Sequence, residues 1–293
     1  MVLATTLCSA VCAAPATGLD LGASLRHDDN LSNSLDRHDR ASDQILRLDA
    51  SARRDLLDES GTGLRFRGQL GAEHLRDFDD LDRLDLRLGA DWVLVPRHTY
   101  GDLSVALTAE LEGFVHRDSD LRDGGALTLG LLLRDRLTDR LELTGGARHA
   151  VRRSREGDLF DLDRSELFLR MDLDTGRRTG VWLGIDAGVG DTVANVARSG
   201  ASILPIAEAL AVDPVFGAGL LGGPGAGPGA GTNRVSYRID ARAVAVRAGV
   251  LFMPAPDLGI EVAAAYRRFE ARDDDEVGYD GLEVVLAIVR RLR

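Results

Sequence analysis

The chain of 293 residues has no lysine; all 36 of its Lys/Arg positions are arginine. It has two cysteines, Cys8 and Cys12, and aromatic residues make up only 5% of it. Nowhere do 18 or more uncharged apolar residues run together, which excludes a helix able to cross a bilayer. Acidic residues outnumber basic ones, 47 to 36, and the net charge of −11 argues against a nucleic-acid partner, which would need a basic face. The missing lysine is most simply a base-composition bias of the genome. Nothing points to a cofactor.

What is present looks at first like an ordinary soluble domain, with 44% hydrophobic and 28% charged residues and a mean hydropathy of −0.08. Residues Val2 to Ala14 form an apolar run that ends in Ala14-Pro15-Ala16, an A-x-A site. We expect residues 1–16 to be a secretory leader whose charged start lies upstream, and 17–293 to be the mature domain. Both cysteines fall in the leader, so the mature chain is expected to have no disulfide, thiol nucleophile or Cys-bound zinc.

From Leu19 onward apolar residues recur at every second position. Leu19, Leu21, Ala23 and Leu25 alternate with Asp20, Gly22, Ser24 and Arg26. The pattern is cleanest where Leu84, Leu86, Leu88, Ala90, Trp92 and Leu94 alternate with Arg83, Asp85, Arg87, Gly89 and Asp91. A helix would spread both sets around its circumference, so strands are expected. Others follow at 46–53, 64–73, 102–116, 125–136, 140–151, 164–174, 180–191, 234–252, 259–270 and 279–292, making twelve. Their connections tend to alternate in length, with long polar ones such as 28–42 and 191–233 and short ones such as 58–61 and 137–139. An up-and-down meander whose two ends meet different environments gives this alternation.

A soluble sandwich would need an inner face of varied, interlocking side chains. Here the apolar face is nearly all Leu, Val and Ala, while the other pairs Arg with Asp and Glu on almost every strand. Lipid needs no jigsaw packing, and a wet interior tolerates paired charges. The predicted fold is an all-β transmembrane antiparallel up-and-down barrel of about twelve strands.

The first-strand exit His27-Asp28-Asp29-Asn30-Leu31 and the strands after it resemble a loose group of Gram-negative outer-membrane barrels. It includes the "porin 2" barrels found beside exopolysaccharide genes and the barrel part of surface lipoprotein assembly modifiers. The resemblance implies an outer-membrane location, insertion by the barrel assembly machinery, and a passive conduit linked to saccharide export. Two features depart from it. The last strand ends Arg290-Arg291-Leu292-Arg293 rather than on an aromatic residue. The interfacial girdle is thin, with Trp92, Tyr100, Tyr237, Phe252, Tyr266 and Tyr279 as its candidates.

Strand phase puts Arg47, Arg53, Arg65, Arg67, Arg83 and Arg87 on the lumen side with Asp85 and Asp91, and adds Arg238, Asp240 and Arg242 further along. The six arginines form a candidate track for anionic or saccharide solutes, since a guanidinium binds carboxylates in pairs of hydrogen bonds and keeps its charge. A cross-strand ladder of ion pairs is the competing expectation. Connection 191–233 has an apolar stretch, 203–212, able to form one or two helical turns, and a Gly/Ala/Pro-rich stretch, 217–231. It is the expected constriction or plug.

The acidic groups Asp28/Asp29/Asn30, Asp77/Asp79/Asp80 and 273–276 lack calcium-loop spacing and are expected to face lipopolysaccharide, so no metal site is assigned. Neither a G-x-S-x-G elbow nor an H-E-x-x-H helix occurs. His149 lies near the outer wall with no serine in phase beside it, while Ser154 and Ser165 read as loop and lumen residues. No enzyme is expected. The function expected is a passive porin-like channel for small or anionic solutes. Its rivals are a non-conducting structural or assembly barrel touching lipopolysaccharide, surface polymer or lipoprotein, and a membrane-embedded hydrolase.

Overall fold

Period-two alternation turns the leucines of each segment to one face of a sheet. In the computed structural model that face is the outside of a barrel. The structure describes residues 17–34, 40–96, 101–197, 207–211, 215, 234–274 and 277–292. The strands are β1 (Thr17–Asp28), β2 (Asp43–Leu57), β3 (Gly63–Leu75), β4 (Arg83–Val95), β5 (Ser104–His116), β6 (Gly124–Arg136), β7 (Leu141–Ser154), β8 (Leu162–Asp174), β9 (Thr179–Ala197), β10 (Ala209–Ala211), β11 (Arg234–Ala255), β12 (Leu258–Ala271) and β13 (Gly278–Leu292).

Neighbours pair antiparallel in chain order, and β1 closes the sheet on β13 from Leu19↔Leu292 to Asp28↔Glu283. β9 pairs directly with β11 along its full length, from Ala197↔Arg234 to Thr179↔Phe252. Twelve strands thus form the wall. β10 is an appendage on the part of β11 that rises beyond β12, pairing at Ala209↔Arg238 to Ala211↔Ser236. Residues 209–211 are therefore extended rather than helical, because the free edge of β11 offers them backbone partners. The rest of the expected helix, the leader and the stretch 217–231 lie outside the described residues.

The outer face is a belt of exposed leucine and valine, including Leu70 and Leu111 at 59% and Leu167 at 64% exposure. Leaving such side chains in water forgoes about 1.5–3 kcal/mol each. Some forty large apolar side chains face outward in this way, so the chain is a transmembrane barrel whose hydrophobic surface is solvated by lipid. Both ends of the wall, Thr17 and Leu292, lie at the short-turn end. There Asp58 shapes the β2–β3 turn, accepting hydrogen bonds from the Ser60 and Thr62 hydroxyls at 2.6 and 2.5 Å. Those hydroxyls hold its carboxyl down at about 2. Gly61, at φ 82°, takes the left-handed conformation that the turn needs.

The long-loop end is packed rather than open. Tyr237, Ile239, Phe269 and Tyr279 form one buried cluster with Ala194 and Ala243. Ile45, Leu75 and Leu81 form a second with Ala41 and Val215. Leu159, Phe160 and Leu162 form a third with Val193 and Ala209. Tyr237 and Tyr279 thus point inward, and the rings stack Phe269 on Tyr279 at 4.6 Å. The girdle expected from sequence loses both, whereas Trp92, Phe252 and Tyr266 do face out. Tyr100 lies outside the described residues.

Candidate functional site

The inner wall is built from the residues that alternate with the leucine belt. Arg47 on β2 donates from Nε to Asp49 at 2.9 Å, and from Nη1 to Glu73 on β3 at 3.0 Å and to Asp85 on β4 at 2.9 Å. To reach β4 its guanidinium must pass over β3, and the residue it crosses is Gly71. A Cβ on Gly71 would overlap Arg47 Nη2 and come within 2.7 Å of Asp85 Oδ2. Glycine here makes room for a bridge spanning three strands.

From Asp85 the network continues to Arg87 at 3.2 Å, then to Glu112 on β5, which also takes Arg83. Arg26 on β1 lies between Glu73 and Glu283, at 3.9 and 3.8 Å. Further around the wall Arg148 pairs with Glu166 at 2.7 Å and Arg247 with Asp186 at 2.7 Å, and Arg267 on β12 reaches past β13 to Asp28 on β1 at 2.7 Å. Toward the short-turn end Arg53 and Arg65 share Asp55, and Arg67 holds Asp91 at 2.8 Å.

All six arginines of the expected track therefore face the lumen, and each has a carboxylate within 4 Å. Burial separates them into two levels. In the middle, the Asp85 side chain is 0% exposed and Glu73 4%. Near the short-turn mouth Arg53 keeps 45% and Arg67 38% of its side chain exposed. Guanidinium groups this open on an inward face keep contact with water at that mouth.

Three residues assigned to the lumen by sequence do not lie there. Arg238, Asp240 and Arg242 share the phase of outward-facing Val244, Val246 and Phe252. In the stretch Ala241–Val246 both phases are largely apolar, so charge alone misjudged the face. The correct signal was the bulkier valine. β11 has 22 residues, far more than a span of about ten needs, so its outward charges sit on the part that rises past the belt.

The mouth is crossed by the β1–β2 connection, and the Asp28-Asp29-Asn30-Leu31 element directs it. Asp28 anchors to Arg267 and accepts from the Asn30 amide N–H at 3.0 Å. Buried Asn30 donates to the carbonyls of Ser34 at 3.2 Å and Asp280 at 2.7 Å, and accepts from Ser34 N at 2.9 Å. The chain then reaches strands on the far side of β13 and β12. Asn33 donates to Val193 O at 3.1 Å, Ser34 Oγ to Asn195 O at 2.9 Å, and Asn195 Nδ2 to Ser32 O. Asn33 has a left-handed φ of 52°, which asparagine tolerates better than most residues. A strap across the mouth is thus supplied by the first connection; of the segment 191–233, expected to constrict or plug the barrel, Val215 is packed beside Ile45 and Leu75, and most of the rest lies outside the described residues.

Ser165 also corrects the sequence expectation. It faces outward, directly opposite His149, whose Nδ1 lies 3.0 Å from Ser165 Oγ. The nearest acid on that face, Asp163, is held by Arg153 at 2.7 Å. Among the described residues no group of three or more metal-ligating side chains occurs.

No protein-family model matches the chain, and no curated protein matches it in sequence. Solved structures do. An outer-membrane channel of Pseudomonas putida F1 is similar with a TM-score of 0.52 and 11% identity over 96% of this chain and 97% of that one. The KdgM porin, solved in complex with disordered oligogalacturonate, is similar with a TM-score of 0.50 and 8% identity over 94% of this chain and 99% of that one. At such identities the likeness is one of fold, that of outer-membrane porin barrels.

Proposed function

We propose that the chain is a porin-like channel of the outer membrane, with a charged lumen and a strap of chain across its outer mouth. The observation that carries this is the open exposure of Arg53 and Arg67 on the inner wall. Charges of that kind line water, and twelve strands leave more room than the eight whose side chains fill a barrel. Solved barrels of the same fold include a porin and a channel. Small anionic solutes, acidic saccharides among them, are the favoured cargo. At the short-turn mouth Arg53, Arg65 and Arg67 have Asp55 and Asp91 as partners, three cations to two anions. The guanidinium edges left open there can take a passing carboxylate. On this reading outward-facing Arg153 and Arg242 at the long-loop end would contact lipopolysaccharide headgroups, while Arg238 is taken up by the Asp158 and Asp161 carbonyls and Glu208.

Reversing charge at Arg65 and Arg87 tests the selectivity. With Arg65→Glu and Arg87→Glu together, the reversal potential in a salt gradient should move toward cation preference; an unmoved potential contradicts the track. A non-conducting structural barrel is the second reading, favoured by the burial of Asp85 and Glu73 in mid-lumen.

Among the described residues no acid is hydrogen-bonded to the His149 imidazole of the outer-wall His149–Ser165 pair, and Asp163 on the same face is held by Arg153. Purified protein is therefore expected to release no fatty acid from phospholipid vesicles. Release that disappears in Ser165→Ala would make the barrel a hydrolase.

A further inference from the structure

At the long-loop end of the lumen, three guanidinium groups are layered with two phenyl rings. Arg83 Cζ lies 4.7 Å and Arg152 Cζ 4.5 Å from the centre of the Phe114 ring. Arg152 also lies 5.5 Å and Arg122 4.7 Å from the Phe160 ring. Both rings are buried. Five elements contribute: β4, β5, β7, and the connections that follow β5 and β7.

Arg152 is the odd member. Arg26, Arg47, Arg83, Arg87, Arg148 and Arg267 all have carboxylates within 4 Å, but Arg152 has none among the described residues. Its Nη2 donates to a neutral acceptor, the Arg122 carbonyl, at 2.9 Å. Its Nε is buried with no partner, as is the Nε of Arg83. The acids nearby are committed elsewhere. Glu112 holds Arg83 and Arg87, Asp123 accepts from His116 N at 2.6 Å, and Asp161 accepts from Ser154 N at 2.6 Å. A cation withdrawn this far from water, beside two others and without an anion of its own, is destabilising unless something supplies the missing charge. Arg152 is nonetheless not fully buried, so part of the group stays open to solvent.

We propose that Arg152, stacked between Phe114 and Phe160 and flanked by Arg83 and Arg122, forms an oxyanion-binding subsite just inside the outer mouth, suited to the carboxylate of a small solute. The two rings restrain the guanidinium, and Nη2 donates one hydrogen bond to the Arg122 carbonyl, which leaves its second hydrogen and Nη1 for a two-pronged contact with a planar carboxylate. The proposal deepens the channel reading by giving an anionic solute a holding point near the outer mouth, beside the Arg83/Arg87 rung. It rests on that reading for its biological role but not for its test.

The test is thermal melting of the refolded barrel in detergent, titrated with sodium glucuronate. Sodium chloride at matched ionic strength and glucose serve as controls. The wild type should show a saturable rise in Tm with glucuronate and none with glucose. Arg152→Gln should weaken half-saturation by about tenfold or more, the effect expected of one charge-assisted, two-pronged contact. Arg152→Lys, which keeps the charge but loses the fork, should fall between them. An equal rise in Arg152→Gln, or none in the wild type beyond that given by chloride, overturns the subsite. Melting needs no current, so a barrel that binds glucuronate but never conducts would retain the subsite and lose the channel reading.

Discussion

Asp85→Ala is expected to lower the stability of the barrel by about 3–5 kcal/mol, the range for removing one partner of a buried charge pair. The carboxylate is wholly buried and accepts from Arg47 through both oxygens, at 2.9 and 3.1 Å, with Arg87 at 3.2 Å. Its loss takes a close partner from both guanidinium groups, leaving Arg47 to Asp49 and Glu73 and Arg87 to Glu112, with an excess of cation in mid-lumen. Gly71→Val should do comparable harm without deleting a charge, since its side chain would occupy the space the Arg47–Asp85 bridge passes through. Urea unfolding followed by tryptophan emission is a suitable readout, with Trp92 on the lipid face and Trp182 on the inner wall. Combining Arg47→Met with Asp85→Ala should recover part of the loss, because one cation and one anion then go together while Arg26 stays beside Glu73 and Gln69 still donates to Asp49. A loss below about 1 kcal/mol for Asp85→Ala would mean that lumen water replaces the carboxylate and that the ladder contributes little.

The second large effect is expected from locking the strap. Ser34 and Asn195 are paired residues of a short parallel bridge between the first connection and β9. Such neighbours fall within disulfide reach. With both native cysteines, Cys8 and Cys12, ahead of the barrel wall, the Ser34→Cys/Asn195→Cys pair would be its only thiols. Oxidised protein should pass little or no current in a planar bilayer, and reductant should restore it. Equal currents in both states would show that the strap does not have to leave the mouth for ions to pass.

The sequence disclosed the wall far better than the mouth. Strands and their faces were legible wherever Leu alternates with Arg or Asp, as in β4, because lipid and lumen select opposite residue types at each step. The phase failed on β11, where Ala241 to Val246 offers small apolar residues to both faces. It failed again at Ser165, a polar residue on the outer face whose partner His149 lies on another strand. The ladder's members could be named from phase, but not their pairing: Arg47 reaches two strands away because Gly71 is small, a fact of side-chain geometry rather than pattern. The Asp28-Asp29-Asn30-Leu31 element stood out as a motif, yet its role depends on contacts with Arg267, Asp280 and Val193, more than 150 residues away. Arg152 gave no signal, since what distinguishes it is a missing partner.

Single-channel recording of the purified wild-type protein in a planar lipid bilayer tests the central claim most directly. An aqueous lumen predicts discrete conductance steps with closures from the strap, and a reversal potential in a salt gradient that favours anions. A protein folded and inserted by the same preparation that leaves the membrane silent at every voltage would contradict it, and would leave the ladder as the filling of a structural barrel.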